Sequence, residues 1–310
     1  MTAVIAYKSD QKRGHAWREY FGRSDSGVEF RVWPDFGDPA EVRYLAVWDP
    51  IDNLADEFPN LEVLFSTGAG VDQFDLSVIP DSIQVVRLID PAIVTGMREY
   101  VSFSVVALHR NILGYQLSQA KGAWKPVMTR PAADVCVGVM GLGSLGRAVL
   151  DAIATFGYSL RAWSRSQHEI EGVTCFSGSD NLQTFVSGCD ILVCLLPLTA
   201  ATTGILNRDL FNAMPEGSSL INVGRGGHLV EGDLLSALAT GQLSSAVLDV
   251  VSEEPLPADH PFWQHPGVLL TPHIASMTGY DTAANALLEN IRRHERGERM
   301  VGVVDRSLGY

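Results

Sequence analysis

The sequence predicts an α/β protein of two domains, each built on a largely parallel sheet. Three observations carry that prediction. The chain has 310 residues, more than the roughly 250–300 at which a single hydrophobic core stops growing. Short runs rich in Val, Ile and Leu alternate with helical stretches along its length, which is the pattern of βαβ units. A turn-rich segment, Gly122–Pro131, carries two prolines and separates two such series.

The first series places strands at Val4–Tyr7, Glu29–Trp33, Tyr44–Trp48, Val63–Ser66 and Val85–Leu88. A helix is expected over Arg98–Tyr115, where Val101, Val105, Leu108 and Ile112 fall on one face. The second series places strands at Val135–Met140, Leu160–Trp163, Val173–Phe176, Ile191–Leu195, Ser219–Val223, Ala246–Val250 and Val268–Leu270. These runs are nearly all apolar, as strands covered on both faces are. An amphipathic helix over Thr282–Arg296 closes the chain, with Gly297 as its stop signal. There is no internal repeat and no low-complexity tract.

Composition narrows the partners. Apolar residues make up 46% of the chain, enough for a sizeable core, and the net charge is −13. An acidic surface disfavours nucleic acid. The run Arg292-Arg293-His294-Glu295-Arg296 is broken by an acid and reads as a solvated helix face. No segment reaches the ~18 uninterrupted apolar residues of a membrane span, so no membrane partner is expected. The opening MTAVIAYKSD reads as a first strand rather than a signal peptide, which makes the cytoplasm the expected compartment. Cys136, Cys175, Cys189 and Cys194 form no C-x-x-C pair and read as buried, reduced thiols. No metal site is expected.

The strongest local motif lies at the head of the second series. An apolar strand runs into Gly141-Leu142-Gly143-Ser144-Leu145-Gly146, and a helical pattern follows. Gly141 permits the tight turn, Gly143 lets the backbone approach a pyrophosphate, and Gly146 allows the helix to pack closely on the strand. The free N–H groups and dipole of the helix N-terminus suit phosphate. The next strand selects the dinucleotide. It reads SLRAW and ends in Trp163-Ser164-Arg165-Ser166, without the acid that an NAD site uses for the ribose 2′-hydroxyl. An arginine between two serines suits a 2′-phosphate, so the expected cofactor is NADPH.

Three later strand ends carry chemical groups. They are NVGRGG with Arg225, LDVVSEEPLP with Asp249, Glu253 and Glu254, and TPHIA with His273. Reducing a 2-keto acid needs a cation for the carboxylate, a proton donor for the developing alkoxide, and a group that orients the donor. Arg225 suits the first role by its fixed charge and planar fork. His273 suits the second, since histidine titrates near neutrality. A carboxylate beside an imidazole favours its charged form, so Glu254 suits the third.

In this order and spacing the motifs resemble the D-isomer-specific 2-hydroxyacid dehydrogenase family. The matching segments are GLGSLG, LLPLTAATTGILN, NVGRGG, LDVVSEEPLP and TPHIA. WSRS, STGAGVD, GMREYV and the chain end GVVDRSLGY are similar to its glyoxylate/hydroxypyruvate reductase branch. The resemblance implies two Rossmann-like domains with an active-site cleft between them. A flavodoxin-like substrate-binding domain would comprise residues 1–97 and 282–310, and an NADP-binding Rossmann domain residues 98–281. It implies that Arg225, Glu254 and His273 are catalytic, with Glu254 rather than Glu253 as the histidine's partner. Asp249 is implied to hold the nicotinamide carboxamide, and Met97, Leu196, Pro197, Val223 and Gly224 to line the cofactor. Gly68, Ala69 and Gly70, with Trp48 as a pocket wall, are implied to bind substrate beside Arg225 and His273. The implied reaction is NADPH-dependent reduction of glyoxylate to glycolate and of hydroxypyruvate to D-glycerate, by a homodimer. Two rivals share the fold: an NAD-dependent dehydrogenase of a bulkier D-2-hydroxy acid, and a non-catalytic dinucleotide-sensing regulator.

Overall fold

Strand and helix alternate as the apolar runs dictate. The computed structural model describes residues 3–23 and 26–306; residues 307–310, the end of the GVVDRSLGY segment and of the expected substrate-binding domain, lie outside the described residues. The contacts divide the chain into two units, Met1–Ile93 with Met277–Tyr310, and Val94–Ser276. The expected crossings were at 97/98 and 281/282. Both fall a few residues earlier, the first because Met97, Val101 and Val105 pack into the core of the second unit.

The first unit begins β1 (Ala3–Lys8), α1 (Gln11–Arg23), β2 (Val28–Val32), β3 (Tyr44–Val47), α2 (Leu54–Glu57), β4 (Val63–Ser66) and β5 (Gln84–Val86). All five strands are parallel, in the order β2-β1-β3-β4-β5, which is the flavodoxin-like order. Successive residues of β1 feed opposite faces. Ile5 and Tyr7 join a core with Trp17 and Phe21 of α1, while Val4 and Ala6 join one with Phe36, Phe58 and Phe74.

The expected helix over Arg98–Tyr115 is two helices, α3 (Pro91–His109) and α4 (Ile112–Ala120). The break falls at Asn111, whose φ is +52°. Asn tolerates this left-handed conformation better than most residues, so the apolar face continues while the backbone turns.

The second unit continues with β6 (Cys136–Met140), α5 (Ser144–Ala154), β7 (Ser159–Ser164), β8 (Val173–Ser177), α6 (Leu182–Val186), β9 (Ile191–Cys194), α7 (Arg208–Ala213), β10 (Ser218–Asn222), α8 (Glu231–Thr240), β11 (Leu243–Leu248) and β12 (Val268–Leu270). Its parallel sheet runs β12-β11-β10-β9-β6-β7-β8. Counted from β6, the order reverses between β9 and β6, which makes a Rossmann switch point beside the glycine loop. Leu192 and Cys194 face one core, and Ile191 and Val193 the other.

The chain then enters α9 (Tyr280–Glu295), whose Ala283, Ala284, Leu287, Leu288 and Ile291 complete the Trp17 core. The basic run in this helix is only partly a solvated face. His294 lies 2.9 Å from the Tyr44 hydroxyl, which donates to Glu295. The thiols are all free, but only Cys189 and Cys194 are buried; Cys136, at the start of β6, and Cys175, on the edge strand β8, are partly exposed.

Candidate active site

The glycine loop has the geometry its sequence demands. Gly141 sits at φ +103°, and its amide donates to the Trp163 carbonyl at 2.8 Å. A side chain at Gly146 would overlap the Gly141 carbonyl oxygen, so only glycine lets α5 start this close to β6. The N-cap, Gly143, has open space where a side chain would stand and offers no capping group. The first-turn N–H groups at Ser144, Leu145 and Gly146 therefore lack both intrahelical and side-chain acceptors. With the helix dipole behind them, they fit a pyrophosphate. Leu142 is buried beneath the loop.

At the end of β7 the four predicted residues divide. The Trp163 indole is buried and donates to the Gly178 carbonyl at 2.9 Å, so this side chain is part of the fold and offers the loop only its backbone. Ser164 is buried, and its hydroxyl donates to the Ser166 carbonyl at 2.6 Å, which shapes the turn that carries Arg165. Arg165 and Ser166 are exposed. Sequence reasoning missed two neighbours. Arg147 donates to His168 Nδ1 at 3.0 Å, which leaves Nε2 to donate to the Ser166 hydroxyl at 3.2 Å. The signal for Arg147 was its place one residue after Gly146, on the exposed side of the first turn of α5.

The other cofactor candidates lie at the ends of β9 and β10. Leu196, Val223 and Gly224 are buried and Pro197 is exposed. Met97 is buried in the core that also holds Leu142 and Ala275. Arg225 follows Gly224 and donates through Nη1 to the Gly224 carbonyl at 2.8 Å. Two buried polar residues that the sequence did not single out hold its backbone. Asn222 Nδ2 donates to the Arg225 carbonyl at 3.1 Å, and the Arg225 amide donates to His228 Nδ1 at 3.0 Å. His228 Nε2 in turn donates to the Pro197 carbonyl at 3.2 Å. The imidazole thus ties the two loops together, and a fully buried His in GRGGH was the available signal.

His273 and Glu254 meet. His273 Nδ1 lies 2.8 Å from Glu254 Oε2, with both side chains 38% exposed. Glu253 remains on the surface. Burial pushes the Glu254 carboxyl up, but the His273 hydrogen bond and charge, the Val251 amide and the Arg225 charge outweigh it. Together they hold the group below its ordinary range. The His273 backbone has φ +55°, a left-handed conformation that costs a non-glycine residue about 1–2 kcal/mol. Asp249, 2% exposed, surrounds that turn. Its carboxylate accepts from the Thr271 hydroxyl at 2.6 Å and from the Ile274 and Ala275 amides at 2.8 Å each.

In the other unit, Thr67-Gly68-Ala69-Gly70 follows β4. Ser66 Oγ accepts from the Gly68 amide at 3.3 Å and donates to the Gly70 carbonyl at 2.7 Å. Arg13 of α1 donates to the Thr67 carbonyl at 2.9 Å. Among the described residues, neither the Ala69 nor the Gly70 amide donates to a protein acceptor, so both remain available to an anion. Trp48, 36% exposed, lays its ring where a Gly68 side chain would stand. Ser66 and Arg13 escaped sequence reasoning because a serine at a strand end and a helical arginine have no distinctive pattern.

Among the described residues no cluster of three or more His, Cys, Asp or Glu is arranged to hold a metal, and no helix is long and apolar enough to cross a membrane. Residues 103–275 match the model of the D-isomer specific 2-hydroxyacid dehydrogenase NAD binding domain. The chain is 39% identical over 280 residues to glyoxylate/hydroxypyruvate reductase A of Yersinia enterocolitica, covering 88% of this chain and 90% of that one. Its fold matches a D-isomer specific 2-hydroxyacid dehydrogenase of Xanthobacter autotrophicus solved with NADPH and MES, with TM-score 0.93, 39% identity and full coverage of both chains. It also matches an NADPH-dependent glyoxylate/hydroxypyruvate reductase of Sinorhizobium meliloti solved with NADP and sulfate, with TM-score 0.92, 34% identity and full coverage of both. A glycine loop, a His–Glu pair and a matching sequence over most of the chain lead to one conclusion: this protein belongs to the D-isomer specific 2-hydroxyacid dehydrogenase family.

Proposed function

We propose that the protein reduces small 2-keto acids with NADPH, taking glyoxylate to glycolate and hydroxypyruvate to D-glycerate. The observation that carries this reading is the His273–Glu254 pair at 2.8 Å, held in the same unit as the glycine loop. The names of the similar reductases and their NADP complexes support it.

When the dinucleotide binds, the N–H groups of Ser144, Leu145 and Gly146 would receive its pyrophosphate and Arg165 and Ser166 its 2′-phosphate, with Ser164 shaping their turn and Arg147 beside them. When bound, the reduced nicotinamide supplies the hydride that adds to the keto carbon. Leu196, Pro197, Val223, Gly224 and Met97 belong to the lining on that side, and Asp249 offers an acceptor to the carboxamide. Arg225 holds the substrate carboxylate; in the other unit the Ala69 and Gly70 amides offer donors to an anion, with Trp48 packed beside Gly68. His273 gives its Nε2 proton to the carbonyl oxygen as negative charge develops there, and solvent later restores it. Glu254 accepts from Nδ1–H, which fixes the orientation of the ring. Water exclusion during transfer strengthens these contacts.

The test is NADPH oxidation across glyoxylate, hydroxypyruvate, pyruvate and phenylpyruvate, repeated with NADH. Turnover of the two smallest acids with a clear NADPH preference is the expected result. No turnover of any keto acid despite tight NADPH binding would point to the regulator instead.

The protein is further proposed to act in the cytoplasm as a homodimer. Trp124 and Met128 are 98% and 97% exposed in the segment after α4, with Phe103 and Val127 also open. The Val127 amide donates to the Tyr115 hydroxyl at 2.9 Å, so this segment is anchored to α4. Exposed apolar side chains held this way mark an interaction surface, and a second copy is the occupant proposed. Trp124→Asp combined with Met128→Asp is expected to convert the dimer to monomer in sedimentation velocity. An unchanged dimer would place the interface elsewhere.

A further inference from the structure

The turn that carries His273 is held by a chain of three side chains, of which the proposed chemistry uses only one. Tyr100 of α3 lies 2.6 Å from the Thr271 hydroxyl. Thr271 lies 2.6 Å from Asp249 Oδ1. A carboxylate oxygen only accepts, so the single Thr271 proton goes to Asp249, and Tyr100 must donate to Thr271. The direction of the whole chain is thereby fixed. Asp249 then closes over the turn from both sides of His273. Before it, Asp249 takes the Thr271 hydroxyl; after it, the Ile274 and Ala275 amides. Its own carbonyl accepts the His273 amide at 2.9 Å. Asp249 accepts four hydrogen bonds from four of the five positions 271–275, and the centre of that stretch is the one with φ +55°.

We infer that Tyr100, Thr271 and Asp249 form a positioning clamp whose task is to hold the His273 backbone in its left-handed conformation and so aim the ring. A left-handed non-glycine residue persists only where the surroundings over-determine it. Relaxation of His273 to an ordinary φ would swing its Cβ and break the 2.8 Å contact with Glu254. Burial pushes the Tyr100 hydroxyl up to about 12, with a weaker upward push from Asp249, so it stays protonated and able to donate across the working range. None of the three is a catalytic residue in this capacity. Tyr100 and Thr271 act on His273 only through Asp249 and the backbone.

This inference rests on the reading of His273 as proton donor, and its test separates the two. Thr271→Val keeps the shape and removes the hydroxyl; Thr271→Ser keeps the hydroxyl. Thr271→Val is expected to lower kcat about tenfold through misplacement of the ring, while KM for glyoxylate and the Kd for NADPH stay within about twofold of wild type. Thr271→Ser should restore kcat. Tyr100→Phe should lower it about threefold, the worth of one neutral hydrogen bond. A readout independent of turnover comes from the apoprotein labelled with 15N-histidine. The Nδ1–H resonance of His273 should shift and broaden in Thr271→Val and not in Thr271→Ser. An unchanged His273 signal in Thr271→Val overturns the clamp whatever the enzyme reduces. A changed signal with no effect of His273→Ala on turnover upholds the clamp and overturns the proton-donor reading.

Discussion

His273→Ala is expected to lower kcat for glyoxylate about 10²-fold or more, the usual worth of a positioned general acid. NADPH affinity should stay nearly unchanged in a fluorescence titration, because the hydrogen bond that holds the ring goes to Glu254 and not to the glycine loop. Near-normal turnover would sink the assignment. Glu254→Gln keeps an oxygen to accept Nδ1–H but removes the charge, and kcat should fall roughly tenfold as a charged hydrogen bond becomes a neutral one. The pH dependence follows from the sign of the Glu254 shift. Its carboxyl is held below the ordinary 4.5 in the folded protein. The stabilisation from the pair is therefore present in full above pH 4.5 and is lost as pH falls through the lowered value. The difference in Tm between wild type and Glu254→Gln should persist from pH 7 down to about 4.5 and narrow below it. A gap that stays constant into the acid range would show that the contact carries no charge.

The elements that position this chemistry were readable because apolar periodicity survives in any strand buried on both faces. All twelve strand expectations correspond to strands, and GLGSLG lies where strand, turn and helix must meet. The missing acid after β7 was equally legible, since a pocket for a ribose hydroxyl and one for a phosphate require opposite charges. Less visible was everything that depends on a contact between distant positions. The break at Asn111 was hidden because the apolar face runs across it; periodicity reports the buried side, not backbone continuity. Trp163 read as part of a cofactor motif, yet its indole is spent on Gly178. His228, Asn222, Ser66 and Arg13 each hold a loop through one or two hydrogen bonds, and no spacing rule encodes such bonds. Tyr100 is 171 residues from Thr271, and only the fold brings their hydroxyls together. Motifs thus point to the groups proposed to meet the ligand, while the residues that aim those groups emerge only from the fold.

Arg165→Asp is expected to lower kcat/KM with NADPH about 10²-fold while changing the value with NADH less than about threefold. The argument is electrostatic. A 2′-phosphate carries nearly two negative charges, and a charged hydrogen bond to it contributes about 1.5–3 kcal/mol. Removing that bond accounts for roughly ten- to hundredfold, and the new carboxylate adds repulsion that falls on NADPH alone. Arg147 stands beside the same turn through His168 and Ser166, so Arg147→Ala should act in the same direction with a smaller effect. Because Arg165 is exposed, the preference should also weaken with salt, as the Debye length falls from about 10 Å at 0.1 M to about 3 Å at 1 M. The measurement is kcat/KM for both cofactors at saturating glyoxylate, at low and high ionic strength. Equal losses with NADPH and NADH in Arg165→Asp would mean that the residue shapes the turn rather than reading the phosphate. The Ser164 hydroxyl, bonded to the Ser166 carbonyl at 2.6 Å, makes that outcome separable. Ser164→Ala disturbs the turn without altering charge, and if it reproduces the Arg165→Asp pattern, geometry rather than charge sets the choice of cofactor.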